Sequence, residues 1–156
     1  MHHQIAAMFH NVRSAHNVGA LLRTADGAGA SKVYVTGYTP TPVDRFGRAQ
    51  KDIAKTALGA EKLVPWEYAK NPASIIKKLR AQQWMIAGVE QDARAVDYRT
   101  FTLTKPTLFI FGSEVRGLSR SLRDQCDALI EIPMHGKKES LNVSVAAGII
   151  LFHFNS

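Results

Sequence analysis

Sulfur chemistry is nearly missing from this sequence of 156 residues, in which Cys126 is the one cysteine. A single thiol forms no internal disulfide, and no Cys/His spacing resembles a zinc site. No metal is therefore expected, and a reducing, cytoplasmic setting is the default. Cys126 reads as a packing residue. Long hydrophobic runs are also lacking. The most apolar stretch, VSVAAGIILFHF, covers only 143–154, whereas a bilayer-spanning helix needs about 20 residues. The opening MHHQIAAMFHNV lacks the order of charge, apolar core and cleavage site that marks a secretory signal. No membrane partner is expected. Acidic residues are scarce: thirteen Asp and Glu face twenty Lys and Arg, a net charge of +7. That excess favours an anionic partner such as RNA or DNA, and serves solubility equally well. Repeats and polar tracts are absent as well. With 46% hydrophobic and 21% charged residues, the chain reads as a single globular domain over 1–156.

Apolar runs recur at 5–9, 32–37, 62–66, 84–89, 107–112 and 128–133, and pieces of helical length lie near 17–29, 51–58, 72–83, 119–126 and 142–154. This alternation predicts an α/β fold, a mainly parallel sheet of about six strands with helices on both faces. The segment 38–50, YTPTPVDRFGRAQ, holds prolines and a glycine and reads as a loop. Its Arg45 and Arg48 flank Phe46, a pattern that suits phosphate contact and base stacking, or simply a solvated loop. The last helix contains no acid, lysine or arginine, and its apolar residues run all the way round. Both its faces need cover. One takes the sheet, and the other implies a second subunit or a neighbouring helix; a homodimer is expected.

Three stretches carry candidate chemistry. In SAHNVGALLRTADGAGA, residues 14–30, Val18, Leu21, Leu22 and Ala25 share one helical stripe, and Arg23 points away from it among Gly19, Ala20 and Gly27. Two helical glycines cost about 1 kcal/mol each relative to alanine. Their presence implies close approach to the helix backbone around Arg23 by something outside the helix. In LFIFGSEVRGLSRSL, Gly112, Gly117 and Ser119 echo a phosphate-binding loop, but Leu118 stands where its lysine belongs and Glu114 would face the phosphates. An NTPase is excluded. A flat ligand lying on main chain at Gly112, beyond a strand end, is the better expectation. Glu114 either holds a polar partner there or caps the next helix. In ALIEIPMHGKKESLNVSVAAG, Asn142 reads as a helix N-cap, which leaves Ser140 to be explained. His10, His16, His135 and His153 are scattered and read as structural or exposed.

Together, in this order, NVGALLRTA, LFIFGSEVRGLS and IPMHGKKESLNVSVAAG resemble the three motifs of the SpoU/TrmH family of RNA ribose 2′-O-methyltransferases, over residues 5–154. The resemblance implies a SPOUT fold whose C-terminal part forms a trefoil knot around S-adenosylmethionine, and a homodimer. It implies cofactor contacts at Gly112, Ile132 and Leu141, with Met134 and Ser140 beside them. It also implies that Asn17, Arg23, Glu114 and Asn142 surround the reacting ribose, in a site assembled between two subunits, and that the glycines beside Arg23 clear room for an RNA strand or the other subunit's loops. The substrate class it implies is tRNA or rRNA. Family members often carry an added RNA-binding segment, and no such separate extension is evident here. Arg45, Arg48, Lys51, Lys55, Lys137 and Lys138 are therefore the candidates for phosphate contact. The competing expectation is a catalytically inactive, dimeric RNA-binding protein of the same fold. Intact Arg23, Glu114 and Asn142 speak against it.

Overall fold

A strand at the centre of a parallel sheet is buried on both faces and needs unbroken apolar sequence. The run IAAMFH meets that need and forms β1 (Ile5–His10). The computed structural model describes residues 2–155; Met1 and Ser156, the two ends of the expected 1–156 domain, lie outside the described residues. The other strands are β2 (Val33–Thr36), β3 (Trp66–Ala69), β4 (Met85–Val89), β5 (Val96–Asp97), β6 (Thr107–Phe111) and β7 (Ala128–Glu131). They pair in the order β3-β2-β1-β6-β4-β7-β5, and each pair is parallel. All the carboxyl ends therefore lie along one edge.

The helices are α1 (Ala15–Gly27), α2 (Lys51–Ala57), α3 (Pro72–Ala81), α4 (Arg120–Asp124) and α5 (Val143–Phe154). Alternation along β1 divides them between two cores. Ile5, Ala7 and Phe9 face α1, α2 and α5, meeting Leu21 and Leu22, Ile53, and Ile150 and Leu151. Ala6 and Met8 face α3 and α4, meeting Ile75, Ile76, Leu79 and Leu122. Burying one such leucine contributes about 1.5–3 kcal/mol, so tertiary packing holds α1 despite its glycines. Its start is fixed by Ser14, whose hydroxyl accepts from the Asn17 N–H at 3.2 Å, a cap worth about 1 kcal/mol. Asn71 caps α3 in the same way, with Pro72 in the first turn, where a missing N–H costs nothing.

One expectation about the sheet needs correction. The strand expected at 62–66 starts later, because Ala60–Lys62 form a 3-10 turn and Trp66 is the first residue of β3. Apolar content misleads here: β3 lies at the edge of the sheet, with Tyr68 exposed and Glu67 paired to Lys32 at 2.8 Å. Backbone pairing to β2, not burial, defines it. The two-residue β5 has no signal in the sequence pattern and completes a seven-stranded sheet among the described residues.

Candidate functional site

The chain runs from β6 to β7 without placing them side by side, because β4 lies between. At the carboxyl ends of these three strands is a cavity of ≈ 290 Å³. Gly112, at the end of β6, forms part of its wall, followed by Ser113, Glu114 and the turn to Gly117. Ile132, Met134, Ser140 and Leu141 line it from the loop that joins β7 to α5. All five residues expected at the cofactor, and Glu114 with them, thus border one space.

Gly112 is there for a steric reason. A methyl on its Cα would lie 2.5 Å from the Gly117 carbonyl carbon and 2.8 Å from a Leu118 methyl, closer than real contacts allow. The turn is pinned by the Gly117 N–H, which donates to the Ser113 carbonyl at 2.9 Å. The Ser113 hydroxyl accepts from the N–H groups of Val115 and Arg116 at 3.2 and 3.3 Å. Glu114 stands exposed on this turn. It does not cap α4, because Ser119 does so, accepting from the Leu122 N–H at 3.2 Å. Asn142 is the N-cap of α5, its carbonyl oxygen accepting from the Ser144 N–H at 2.8 Å.

Neither Arg23 nor Asn17 lines this cavity. Arg23 is exposed on α1 and borders a second recess, with Lys55 and Leu58 from the α2 region and Phe152 from α5. What approaches the helix backbone at Gly19 lies within this chain. Gly19 is buried against α2, where an added methyl would overlap Thr56 Oγ1 and the Ile53 carbonyl and lie 2.9 Å from the Ala57 nitrogen. Gly27 is exposed, with the edge of the Phe152 ring 3.3 Å from where a methyl would sit. The expectation that an RNA strand or a second subunit's loops account for the glycines beside Arg23 is therefore corrected at Gly19, which α2 of the same chain covers, whereas Gly27 stays exposed on the recess.

The basic candidates divide by place. Lys137 and Lys138 are exposed on the loop bordering the cavity, and Lys51 and Lys55 are exposed on α2. Arg45 and Arg48 lie 4.8 and 5.0 Å from the Phe46 ring centre. Arg48 is also bonded to Asp44 at 2.9 Å, which offsets its charge. Hydrogen bonds from Arg48 and Phe46 hold the Asp44 carboxyl below its ordinary range. Desolvation lowers the His10 pKa, and its Nδ1 lies 2.9 Å from Thr36 Oγ1.

Sequence reasoning missed one wall of the cavity. Glu90 and Gln91, at the carboxyl end of β4, line it. The signal was available, since Glu90 directly follows the apolar run 84–89, and strand ends are where such sheets bind ligands. Beyond it, Asp92 accepts from Arg94 at 3.1 Å and from Arg123 of α4 at 3.0 Å. The Arg94 hydrogen bonds pull the Asp92 pKa down to about 2. Among the described residues, no group of His, Cys, Asp and Glu is arranged to hold a metal ion. No helix of the described residues is long and apolar enough to cross a membrane.

The model of the SpoU rRNA methylase family matches residues 4–152. This chain belongs to that family. The 23S rRNA (guanosine-2′-O-)-methyltransferase RlmB of Pseudomonas syringae pv. tomato is 39% identical over 141 residues, which make up 90% of this chain and 54% of that protein. RlmB of Nitrosomonas europaea is 40% identical over 141 residues, 90% of this chain and 52% of that one. The chain thus spans about half the length of the curated relatives it matches. Among solved structures, an AdoMet-bound rRNA methyltransferase from Sinorhizobium meliloti superposes with a TM-score of 0.88 at 30% identity, over 99% of this chain and 56% of that one. The SpoU methyltransferase AviRb from Streptomyces viridochromogenes, in complex with AdoMet, gives 0.86 at 26% identity, over 99% and 60%.

Proposed function

We propose that this chain binds S-adenosylmethionine in the cavity at the ends of β4, β6 and β7 and methylates a ribose 2′-hydroxyl of rRNA or tRNA. One observation carries this reading: Gly112 and Glu114, and Ile132, Met134, Ser140 and Leu141, come from separate stretches and border a single space. The residues fit the cofactor. Bare main chain at Gly112 accepts a flat base, Ile132 and Leu141 offer apolar contact, and Glu90, Glu114, Glu131 and Glu139 on the walls suit a ligand with positive groups. The AdoMet bound to two structural neighbours and the rRNA named for the relatives support the same assignment. The trefoil knot, the single domain and the cytoplasmic setting belong to this proposal too.

When bound, the cofactor supplies a methyl group already activated by a positive sulfur. The protein's task is then alignment of the hydroxyl and help with its proton. Asn17, Asn142 and Glu114 supply polar contacts that orient the ribose. A guanidinium with a pKa above about 12 is a poor base, so Arg23 stabilises the developing alkoxide or the adjacent phosphate by charge. Because Arg23 opens onto a recess away from the cavity of its own chain, the complete site needs two copies, with Asn17 and Arg23 of one meeting the cavity of the other. Exposed Leu58 and Phe152 beside Arg23 and Val145 on α5 are apolar surface that a homodimer would cover. Arg45, Arg48, Lys51, Lys55, Lys137 and Lys138 contact RNA phosphates.

Calorimetry with S-adenosylmethionine and S-adenosylhomocysteine, followed by mass spectrometry of ribose methylation in rRNA, tests this. Arg23→Ala is expected to bind both ligands as the parent does and to lose methyl transfer by about a hundred- to a thousandfold. Mixing it with Gly112→Ala chains should restore activity, since each heterodimer keeps one intact composite site. No binding of either ligand to the parent protein, or undiminished transfer by Arg23→Ala, overturns the proposal.

A further inference from the structure

We infer that Glu90 is a positioning residue that sets the shape of the donor cavity by holding the 113–118 turn from the neighbouring strand. The inference rests on the assignment of that cavity to S-adenosylmethionine. Glu90 follows β4 directly, is half-buried, and borders the cavity. One carboxylate oxygen accepts from the Leu118 N–H at 2.6 Å, and the other from the Gln91 N–H at 3.1 Å.

The turn's own bonds leave that first contact to Glu90. Ser113 serves the N–H groups of Val115, Arg116 and Gly117, whereas the Leu118 N–H reaches out of the turn to the β4 side. A charged acceptor at that distance makes one of the stronger kinds of hydrogen bond. Gly117, with φ of 64°, presses its Cα on the same carboxylate, so that any side chain at 117 would overlap Glu90. The Gly117 main chain in turn packs against Gly112, the residue on which the ligand's flat part is proposed to lie. Glu90, Gly117 and Gly112 thus form a continuous stack, and a shift of the outer member moves the cavity wall. The carboxylate reaches the turn only because β4 is inserted between β6 and β7.

The segment just beyond Glu90 reinforces the same restraint. Asp92 holds Arg123 of α4 at 3.0 Å, and Arg94 reaches Asp124 at 2.9 Å. Residues 90–94 therefore bind both the turn and the helix that follows it. Glu90 is half-buried on the cavity wall, with its carboxylate bonded to the turn, so its loss should fall on the cavity more than on the fold.

The test compares the parent with Glu90→Ala and Glu90→Gln by calorimetry with S-adenosylhomocysteine, by steady-state methylation, and by hydrogen exchange at the Leu118 amide. Glu90→Ala should weaken ligand binding about tenfold or more, the loss of a charge-assisted hydrogen bond. KM for S-adenosylmethionine should rise in step, kcat should change far less, and Leu118 exchange should accelerate. Glu90→Gln keeps one acceptor oxygen and the shape of the side chain, and should give a partial rescue on all three readouts. If the parent binds S-adenosylhomocysteine but both variants bind it within about twofold of the parent, Glu90 has no positioning role. A loss confined to kcat, or binding lost with Leu118 protection intact, overturns the inference equally. Failure of the parent itself to bind overturns the donor assignment instead, and is distinguishable on that ground.

Discussion

Replacing Gly19 by alanine sets two physical effects against each other with opposite signs. Helix propensity alone predicts stabilisation, since alanine in a helix interior is favoured over glycine by about 1 kcal/mol. The crossing of α1 and α2 predicts the reverse. A methyl at position 19 would overlap Thr56 Oγ1 and the Ile53 carbonyl and stand 2.9 Å from the Ala57 nitrogen. Two of these obstacles are backbone and do not rotate away. To admit the methyl, α2 must retreat, which strains the bond from the Thr56 hydroxyl to the His16 carbonyl, now 2.9 Å. Ile53 and Ala57, both fully buried, would be drawn from the core. Overpacking of this kind costs about 1–3 kcal/mol, and a weakened hydrogen bond adds about 1 kcal/mol. Less the propensity gain, the net loss is about 1–3 kcal/mol. For a chain of this size each kcal/mol lowers Tm by roughly 2–4 °C. Thermal unfolding followed by circular dichroism, with urea titration alongside, measures the difference directly. A Tm equal to the parent's or above it would refute the close crossing and leave propensity as the governing effect.

Two further outcomes follow from titratable groups. Hydrogen bonds from Arg94 hold the Asp92 pKa near 2, below its ordinary 3.8. Its contribution to stability is therefore full above the unfolded value and is lost as pH falls through the folded one. Unfolding measured from pH 5 down to pH 2 should show an acid limb that is shallower in Asp92→Asn, and an unchanged limb would disprove the contribution. Burial pushes the Cys126 thiol from 9.0 up to about 11, which lowers its thiolate fraction at neutral pH about a hundredfold. Reaction with a thiol reagent at pH 8 should be slow in the native protein and fast in urea; equal rates would show the thiol to be exposed.

The parts of this fold that were legible are those decided by burial. IAAMFH and TLFIF are central strands, apolar because both their faces are covered, and the runs themselves announce it. The stripe of Val18, Leu21, Leu22 and Ala25 likewise marks the inner face of α1. Elements decided by pairing were hidden. β3 is an edge strand whose Glu67 and Tyr68 have no reason to be apolar, and β5 is two residues long. Two of the cavity's borders, the turn after β6 and the loop after β7, were visible as loops after strands, yet nothing local to Glu90 announces that it will meet Leu118. That contact is a consequence of strand order, which periodicity does not encode.

Strand order also explains why a single chain has the proposed donor cavity without the proposed arginine. Inserting β4 between β6 and β7 gathers residues 90, 112–117 and 131–141 at one place on the carboxyl edge of the sheet. α1 leaves that edge from β1 and runs back along the sheet, so Arg23 is carried about two helical turns beyond Asn17. Its other neighbours, Lys55 and Phe152, belong to the outer side of the α1, α2 and α5 layer. No rotamer change reverses a helix direction. On the proposed reading, Arg23 serves another copy of the chain, across the face where Leu58 and Phe152 are exposed. The pairing of subunits is then a condition of the chemistry and not an addition to it, and transfer activity should fall with dilution as dimers dissociate while cofactor binding to the cavity persists.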